Sequence, residues 1–63
     1  MSTEYFTCEV KHETDDAYLL FDGNKNVWIP KSQMKDEASS LKDGVEYLDF
    51  GIPEWLALTK GMI

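Results

Sequence analysis

The residues best suited to chemistry in this sequence surround a proline at the end of an apolar run. The stretch VWIPKSQM places Trp28 just ahead of Lys31, Ser32 and Gln33. A tryptophan gives a large contact area at low entropic cost, and serine and glutamine add adaptable hydrogen bonds. One hypothesis is that these four residues form an exposed patch that binds a partner. The alternative is that Trp28 fills the core, the commoner position of a strand tryptophan.

Acid–base or nucleophilic catalysis has little support in the sequence. His12 is the single histidine, and no serine or cysteine stands at a recognisable nucleophile spacing from it. Its charged neighbours, Lys11 and Glu13, indicate the exposed end of a strand. We therefore expect His12 to be a surface residue and the protein not to be an enzyme.

The sequence also predicts neither a metal nor a cofactor. The acidic pairs Asp15-Asp16 and Asp36-Glu37 lack the alternating oxygen ligands of a calcium loop. The glycines are scattered and form no phosphate-binding loop. Cys8 is the one cysteine, which leaves it no partner for an internal disulfide. It alternates with apolar neighbours, so we expect it to be buried as a small apolar side chain.

The charge balance bears on the kind of partner. Twelve Asp and Glu stand against six Lys, no Arg is present, and the net charge is −6. Such a charge repels phosphates at long range, and the missing guanidinium removes the usual bidentate reader of phosphate and guanine. Binding to a protein is favoured and binding to nucleic acid is disfavoured. The alternative is that the acidity only keeps a small protein in solution.

Alternating apolar and polar residues predict strands along much of the chain. The strand segments are EYFTCEVKHE, AYLLF, VWI and VEYLDF. The residues DGNKN tolerate positive φ and predict a hairpin between the second and third segments. Both arms of that hairpin carry apolar residues on both faces, which indicates a central hairpin covered on two sides. Pro30 is expected to end the third strand, because proline lacks the N–H that a ladder needs.

The remaining segments predict a loop and a short helix. We expect a helical or 3₁₀ turn in KSQM, with Met34 returning to the core, and then a loop to Asp43. Pro53 and Gly61 suit the first turn and the left-handed stop of a helix over about residues 53–60. We expect Trp55 to plug the core from that helix.

These elements predict one domain, residues 1–63, that is mainly β with a short C-terminal helix. The expected architecture is a small SH3-like partial barrel or a strongly bent antiparallel sheet. A chain of this size buries only about 60% of its unfolded surface, so its core must be small. No apolar run reaches the roughly 20 residues of a membrane span, and the N-terminus does not resemble a signal peptide. A cytoplasmic location is expected, and the oligomeric state stays open.

Two stretches resemble a pattern in short uncharacterised proteins of bacteriophages and prophages. VWIPKSQ and the ending IPEWLALTKGMI are similar to the WIPKSQ turn and the P-x-W-L-A-x-x-K-G ending of those proteins. The similarity covers residues 17–63, is best at residues 27–33 and 52–61, and fails over residues 34–44. It implies a phage-encoded, cytoplasmic accessory protein and carries no established activity.

For such a protein two functions compete. The first is a small acidic protein that engages a host or phage protein, with inhibition of a host defence system, as by an anti-CRISPR, as one form. The second is an accessory of phage DNA replication or recombination that contacts single-stranded nucleic acid through Trp28 and nearby lysines. Base stacking contributes about 1–3 kcal/mol per base, but it would act against the net negative field. The charge favours the first function.

Overall fold

A computed structural model describes residues 2–63 of the chain. Within them, β-strands pair antiparallel in one open sheet in the order β3-β2-β1-β5-β4. The elements are β1 (Thr3–Glu13), β2 (Ala17–Phe21), β3 (Asn26–Pro30), a 3₁₀ turn (Lys31–Gln33), β4 (Lys35–Lys42), β5 (Val45–Pro53) and α1 (Glu54–Thr59). The prediction of a mainly β protein with a short C-terminal helix is confirmed. The sheet is not closed into a barrel.

Local side-chain hydrogen bonds fix the first two turns. The Thr14 hydroxyl oxygen accepts hydrogen bonds from the backbone N–H groups of Asp16 and Ala17. The Asp22 carboxylate accepts from two successive N–H groups of the β2–β3 turn, each at 2.8 Å. These N–H groups, together with the charge of Lys25, lower the pKa of Asp22 from its ordinary value of 3.8. The β2–β3 turn therefore forms where the sequence predicts it.

The link from β3 to β4 shows how strongly the sheet bends. β3 ends at Pro30, and the 3₁₀ turn follows at once, as predicted. Met34 then packs partly buried against the core, also as predicted. Only four residues lie between Pro30 and Lys35, so the chain between these two residues spans at most about 18 Å. The two outermost strands of the sheet, which this link connects, are thus drawn toward each other, as a strongly bent sheet requires.

The predicted loop before Asp43 is wrong, because residues 35–42 form β4. Every residue of this strand is exposed, so it has no buried face and no apolar alternation to reveal it. What holds it is backbone pairing with β5 and a two-residue turn in which Asp43 and Gly44 have φ of 53° and 79°. Those positive φ values are typical of a tight type I′ hairpin turn.

The terminal helix is close to its prediction. It covers Glu54–Thr59, with Pro53 just before it, and Gly61 has φ of 70°. The N–H groups of Gly61 and Met62 donate to the carbonyls of Leu58 and Ala57, which is the Schellman pattern. The prediction for Trp55 is wrong, because its side chain is 48% exposed. The helix closes the core with Leu56 and Ala57 instead.

One face of the sheet holds the core. We call it the inner face, and it is the face on which α1 packs. The buried apolar residues are Cys8, Leu20, Val27, Ile29, Leu48, Phe50, Ile52, Leu56 and Ala57. Burial raises the pKa of the Cys8 thiol to about 11, with a smaller contribution from the charge of Asp22. The prediction that this cysteine is buried is therefore confirmed.

The β2–β3 hairpin is not central, contrary to the prediction. β1 is the middle strand, and β3 forms an edge. The alternate residues of the hairpin that do not enter the core point to the other side of the sheet, where no helix of the described chain packs. Their apolar character therefore needs a different explanation from a second covering layer.

Candidate binding site

The uncovered side of the sheet, here called the outer face, carries a group of aromatic side chains. Residues directly opposite each other on paired strands share a face, and so do alternate residues of one strand. The cross-strand pairs Thr7–Asp49, Glu9–Tyr47, Glu9–Phe21 and Leu19–Trp28 therefore all belong to it. The outer face includes Tyr5, Thr7, Glu9, His12, Leu19, Phe21, Trp28, Tyr47, Asp49 and Gly51, with Lys35, Ala38, Ser40 and Lys42 from β4.

Trp28 lies at the β3 side of the outer face. Its side chain is 44% exposed, and it stands opposite Leu19 of β2. A shift of register in β1 between Val10 and His12 brings His12 onto the same face. The His12 ring meets the indole edge-on, with centroids 6.2 Å apart and planes at 87°. Trp28 is thus held in place on one side and open to a partner on the other. The alternative that it fills the core is wrong.

Phe21 and Tyr47 occupy the middle of the outer face, and both are half-buried. The Lys11 ammonium lies 5.4 Å from the centroid of the Phe21 ring. The same ammonium donates to Glu9 at 2.9 Å. Open depressions flank Tyr47, one toward Phe21 and the other toward Lys42. The two depressions make the outer face uneven, with space for side chains of a partner.

Tyr5 lies in β1, opposite Gly51 of β5, and is 63% exposed on the outer face. Its ring lies over Gly51, where an added Cβ would stand 2.7 Å from Tyr5 Cε1. Its hydroxyl donates to Asp36 at 3.1 Å. That hydrogen bond and the charge of Asp36 raise the pKa of Tyr5. The Tyr5 ring therefore covers the backbone at Gly51 in place of a side chain.

The two carboxylates in the middle of the outer face already have partners within the chain. Glu9 accepts from Lys11, and Asp49 accepts from the Thr7 hydroxyl. Many other acidic residues lie in turns and at strand ends, such as Asp15, Asp22 and Asp43. The outer face is therefore less acidic than the chain as a whole, and its aromatic rings dominate its centre.

The predicted patch of Trp28, Lys31, Ser32 and Gln33 is divided by the sheet. The Lys31 ammonium donates to Glu13 at 2.6 Å and lies 4.9 Å from the centroid of the Tyr18 ring. The hydrogen bond to Glu13 raises the pKa of Lys31. Tyr18 precedes Leu19 in β2, so it points to the inner face while Trp28 points to the outer one. Ser32 is exposed and Gln33 half-buried in the 3₁₀ turn.

The cations do not gather around the tryptophans. Among residues 2–63, neither indole has a lysine over its ring, and the two such contacts formed involve Phe21 and Tyr18. Lys25 instead lies near Asp22 and donates to the Gly61 carbonyl. A nucleic-acid site would combine stacking rings with a positively charged groove. On the outer face, Lys11 lies over Phe21, and Lys42 lines a depression with Tyr47.

The described residues hold no group of three or more His, Cys, Asp or Glu side chains that could hold a metal ion. None of their helices is both long and apolar enough to cross a membrane. Comparisons with protein-family models, with curated proteins and with solved structures found no match. The candidate site therefore rests on the geometry of the outer face.

Sequence reasoning missed most of this site. It found Trp28 but grouped it with its neighbours along the chain instead of with its cross-strand neighbours. The sequence does contain a signal for the other residues of the site. Leu19, Phe21 and Tyr47 alternate with the core residues of their strands, so they point to the other face of the sheet. Pairing the apolar faces of adjacent strands would have joined them.

Proposed function

We propose that the protein is a small binding module that engages another protein through the aromatic outer face of its sheet. The observation that carries the proposal is the uncovered row of aromatic side chains opposite the core, with Trp28 44% and Tyr5 63% exposed. A sheet face that is not used has no need of four aromatic rings, because polar residues serve at solvent positions.

The composition of the face suits a protein surface. Exposed apolar patches mark interaction sites, and interface centres are rich in tryptophan and tyrosine and poor in charge. Trp28 sits against Leu19 and His12, so little side-chain entropy is lost when it is covered. The internally satisfied carboxylates, Glu9 and Asp49, can be buried with their hydrogen bonds in place.

We also propose the biological setting that the two motifs imply. A phage-encoded protein acting in the host cytoplasm would meet host proteins, and inhibition of a defence system is one result of such binding. The acidic turns around the sheet, at a net charge of −6, favour a partner whose surface is basic around an apolar centre. This setting rests on the motifs and the charge.

Single-stranded nucleic acid is the second candidate, and one observation favours it. Lys42 lines a depression beside Tyr47 on the outer face, so a stacked base could have a cation next to it. Against this, Asp49 and Thr7 line the same depression. The net charge also weakens any attraction to phosphates.

A comparison of the two tryptophans tests the proposed function. Trp28 and Trp55 are similarly exposed, at 44% and 48%, but Trp55 lies on α1, away from the outer face. We expect immobilised Trp28→Ala to lose the proteins that the parent captures from a bacterial host lysate. Trp55→Ala, the matched control, should retain them. Captured proteins are identified and quantified by mass spectrometry.

Equal capture by both variants, each shown to be folded, would refute the role of the outer face. The nucleic-acid candidate is tested separately with a labelled single-stranded oligonucleotide at low and moderate salt. Tight binding that falls with salt and is lost in Trp28→Ala would favour the second candidate over the first.

A further inference from the structure

The two edges of the sheet differ in how well they are protected. β3 has five residues, ends in a proline, and lies next to a turn whose Lys25 is tied to the C-terminal segment at Gly61. β4 has eight residues, all exposed, and no strand of the described chain pairs with its outer edge. Natural proteins guard such edges with short strands, prolines or charges. The β4 edge is the less guarded of the two.

The tight turn after β4 determines which backbone groups face outward. In a hairpin with a two-residue turn, the closing pair, Lys42 and Val45, exchanges both hydrogen bonds, and successive pairs then alternate. Ser40 therefore bonds to β5, while Ser39 and Leu41 direct their N–H and C=O groups away from it. These groups form a template for an added antiparallel strand.

The side chains of this edge leave room for another strand. Ala38 to Leu41 is an uncharged run, and three of its four side chains are small. Leu41 is 73% exposed, the highest exposure among the large apolar residues of the described chain. An incoming strand would cover it. The charges that usually block edges stand only at the two ends of the run.

The charges at the two ends of the uncharged run indicate which strand can pair with the β4 edge. Asp36 and Glu37 precede the run, and Lys42 follows it. When two copies of β4 pair antiparallel about a two-fold axis at Ser39, the acidic end of each lies beside Lys42 of the other. We propose that the β4 edge pairs with the same edge of a second copy of this chain, which forms a symmetric dimer. This inference goes beyond the proposed function.

Pairing of this kind has a consequence for the outer face. A two-fold axis perpendicular to the sheet keeps the outer faces of both copies on the same side. The five strands of each copy would form one continuous sheet, and the aromatic surface would double in area. A partner with two equivalent sites would then bind more tightly through effective concentration.

Sedimentation velocity over a range of protein concentrations tests the proposal, with dimers expected for the parent. Ser39→Pro removes an N–H that points away from β5, so the intramolecular ladder should survive while dimers are lost. Ser39→Ala keeps that N–H and should dimerise like the parent. A parent that stays monomeric at every concentration would overturn the proposal. So would equal dimerisation of the two folded variants.

A charge test keeps the proposal falsifiable if Ser39→Pro does not fold. Lys42→Glu should weaken dimerisation about tenfold, because two symmetric contacts become repulsive, which corresponds to ~1.4 kcal/mol. Lys60→Glu makes the same change of net charge on the terminal segment and should have little effect. Equal weakening by the two variants would show that net charge, and not the β4 edge, controls association.

Mixing the Asp36→Lys and Lys42→Glu proteins gives the sharpest outcome, because the axis at Ser39 places Asp36 of one copy opposite Lys42 of the other. Each variant alone places like charges across the two-fold axis, whereas the mixed pair places opposite charges at both ends. At protein concentrations at which neither variant alone forms homodimers, the mixture should form heterodimers. The absence of heterodimers would overturn the proposal. Trp28→Ala should dimerise normally, so a failure here is distinguishable from a failure of the proposed function.

Discussion

The inner and outer faces of the sheet are built from the same strands and both carry aromatic residues, yet only one is covered. The largest side chains exposed by less than 2% all lie on the inner face, and they are Leu20, Ile29, Phe50 and Ile52. On the outer face Trp28 and Tyr5 are 44% and 63% exposed. The comparison shows that apolar content alone does not separate the core from the uncovered face in so small a domain. The bend of the sheet, together with the six-residue helix that packs on its inner face, does.

The largest expected effect is on the inner face. Phe50→Ala should lower the free energy of unfolding by about 3–5 kcal/mol, because a fully buried ring leaves a cavity. That loss is most of the stability of a small domain. Urea denaturation followed by circular dichroism measures it. Tyr5→Ala, on the outer face, is the control and should change stability much less. Equal losses would contradict the division between the faces.

The tryptophans give a smaller effect that separates stability from binding. Trp28→Ala and Trp55→Ala should each lower the free energy of unfolding by about 1–2 kcal/mol, because each ring buries only part of its surface. Denaturation curves of the two variants should therefore nearly coincide. A loss of more than about 3 kcal/mol for either would show that its ring belongs to the core.

Gly51 lies on the outer face beneath the Tyr5 ring, and its substitution should have a modest effect. In Gly51→Ala the new Cβ would meet Tyr5 Cε1 at 2.7 Å and Thr3 Cγ2 at 2.8 Å. Both are side-chain atoms that can move, so we expect a loss of about 1 kcal/mol in the free energy of unfolding. The same substitution in a Tyr5→Ala background should be less costly. A double-mutant cycle without coupling would contradict the contact.

The smallest effect concerns the turn that connects β2 to β3. The lowered pKa of Asp22 means that its carboxylate stabilises the fold at pH values above 3.8. This contribution is lost as the pH falls through the lower pKa of the folded state. The stability difference between the parent and Asp22→Asn should therefore shrink in acid. If the stability difference between the two proteins stays constant from neutral to strongly acidic pH, the ionised Asp22 carboxylate does not stabilise the turn.

Much of the fold could be predicted from the sequence, because most elements have local signals. Alternation reveals β1 and β5, turn residues mark the β2–β3 hairpin, and Gly61 marks the end of α1. β4 could not be predicted, because an edge strand with no buried face has no apolar period. Its stability comes from backbone pairing with β5, which leaves no pattern in its own side chains.

The candidate site was only partly predictable for a related reason. The sequence predicts a contact role for Trp28, but the register of the strands decides which residues lie beside it. The bulge between Val10 and His12 also changes the face on which His12 lies. Trp55 could not be assigned from its position on a short helix, since Leu56 and Ala57 are equally able to fill the core.

Site-specific photo-crosslinking tests the central claim most directly. A photoreactive phenylalanine analogue is placed at position 28 on the outer face or, as the matched control, at position 55 on α1. Irradiation in the host cell should yield a discrete protein adduct from position 28 and none from position 55. Adducts from position 55 alone would contradict the account, because the partner would then bind at the helix and not at the outer face.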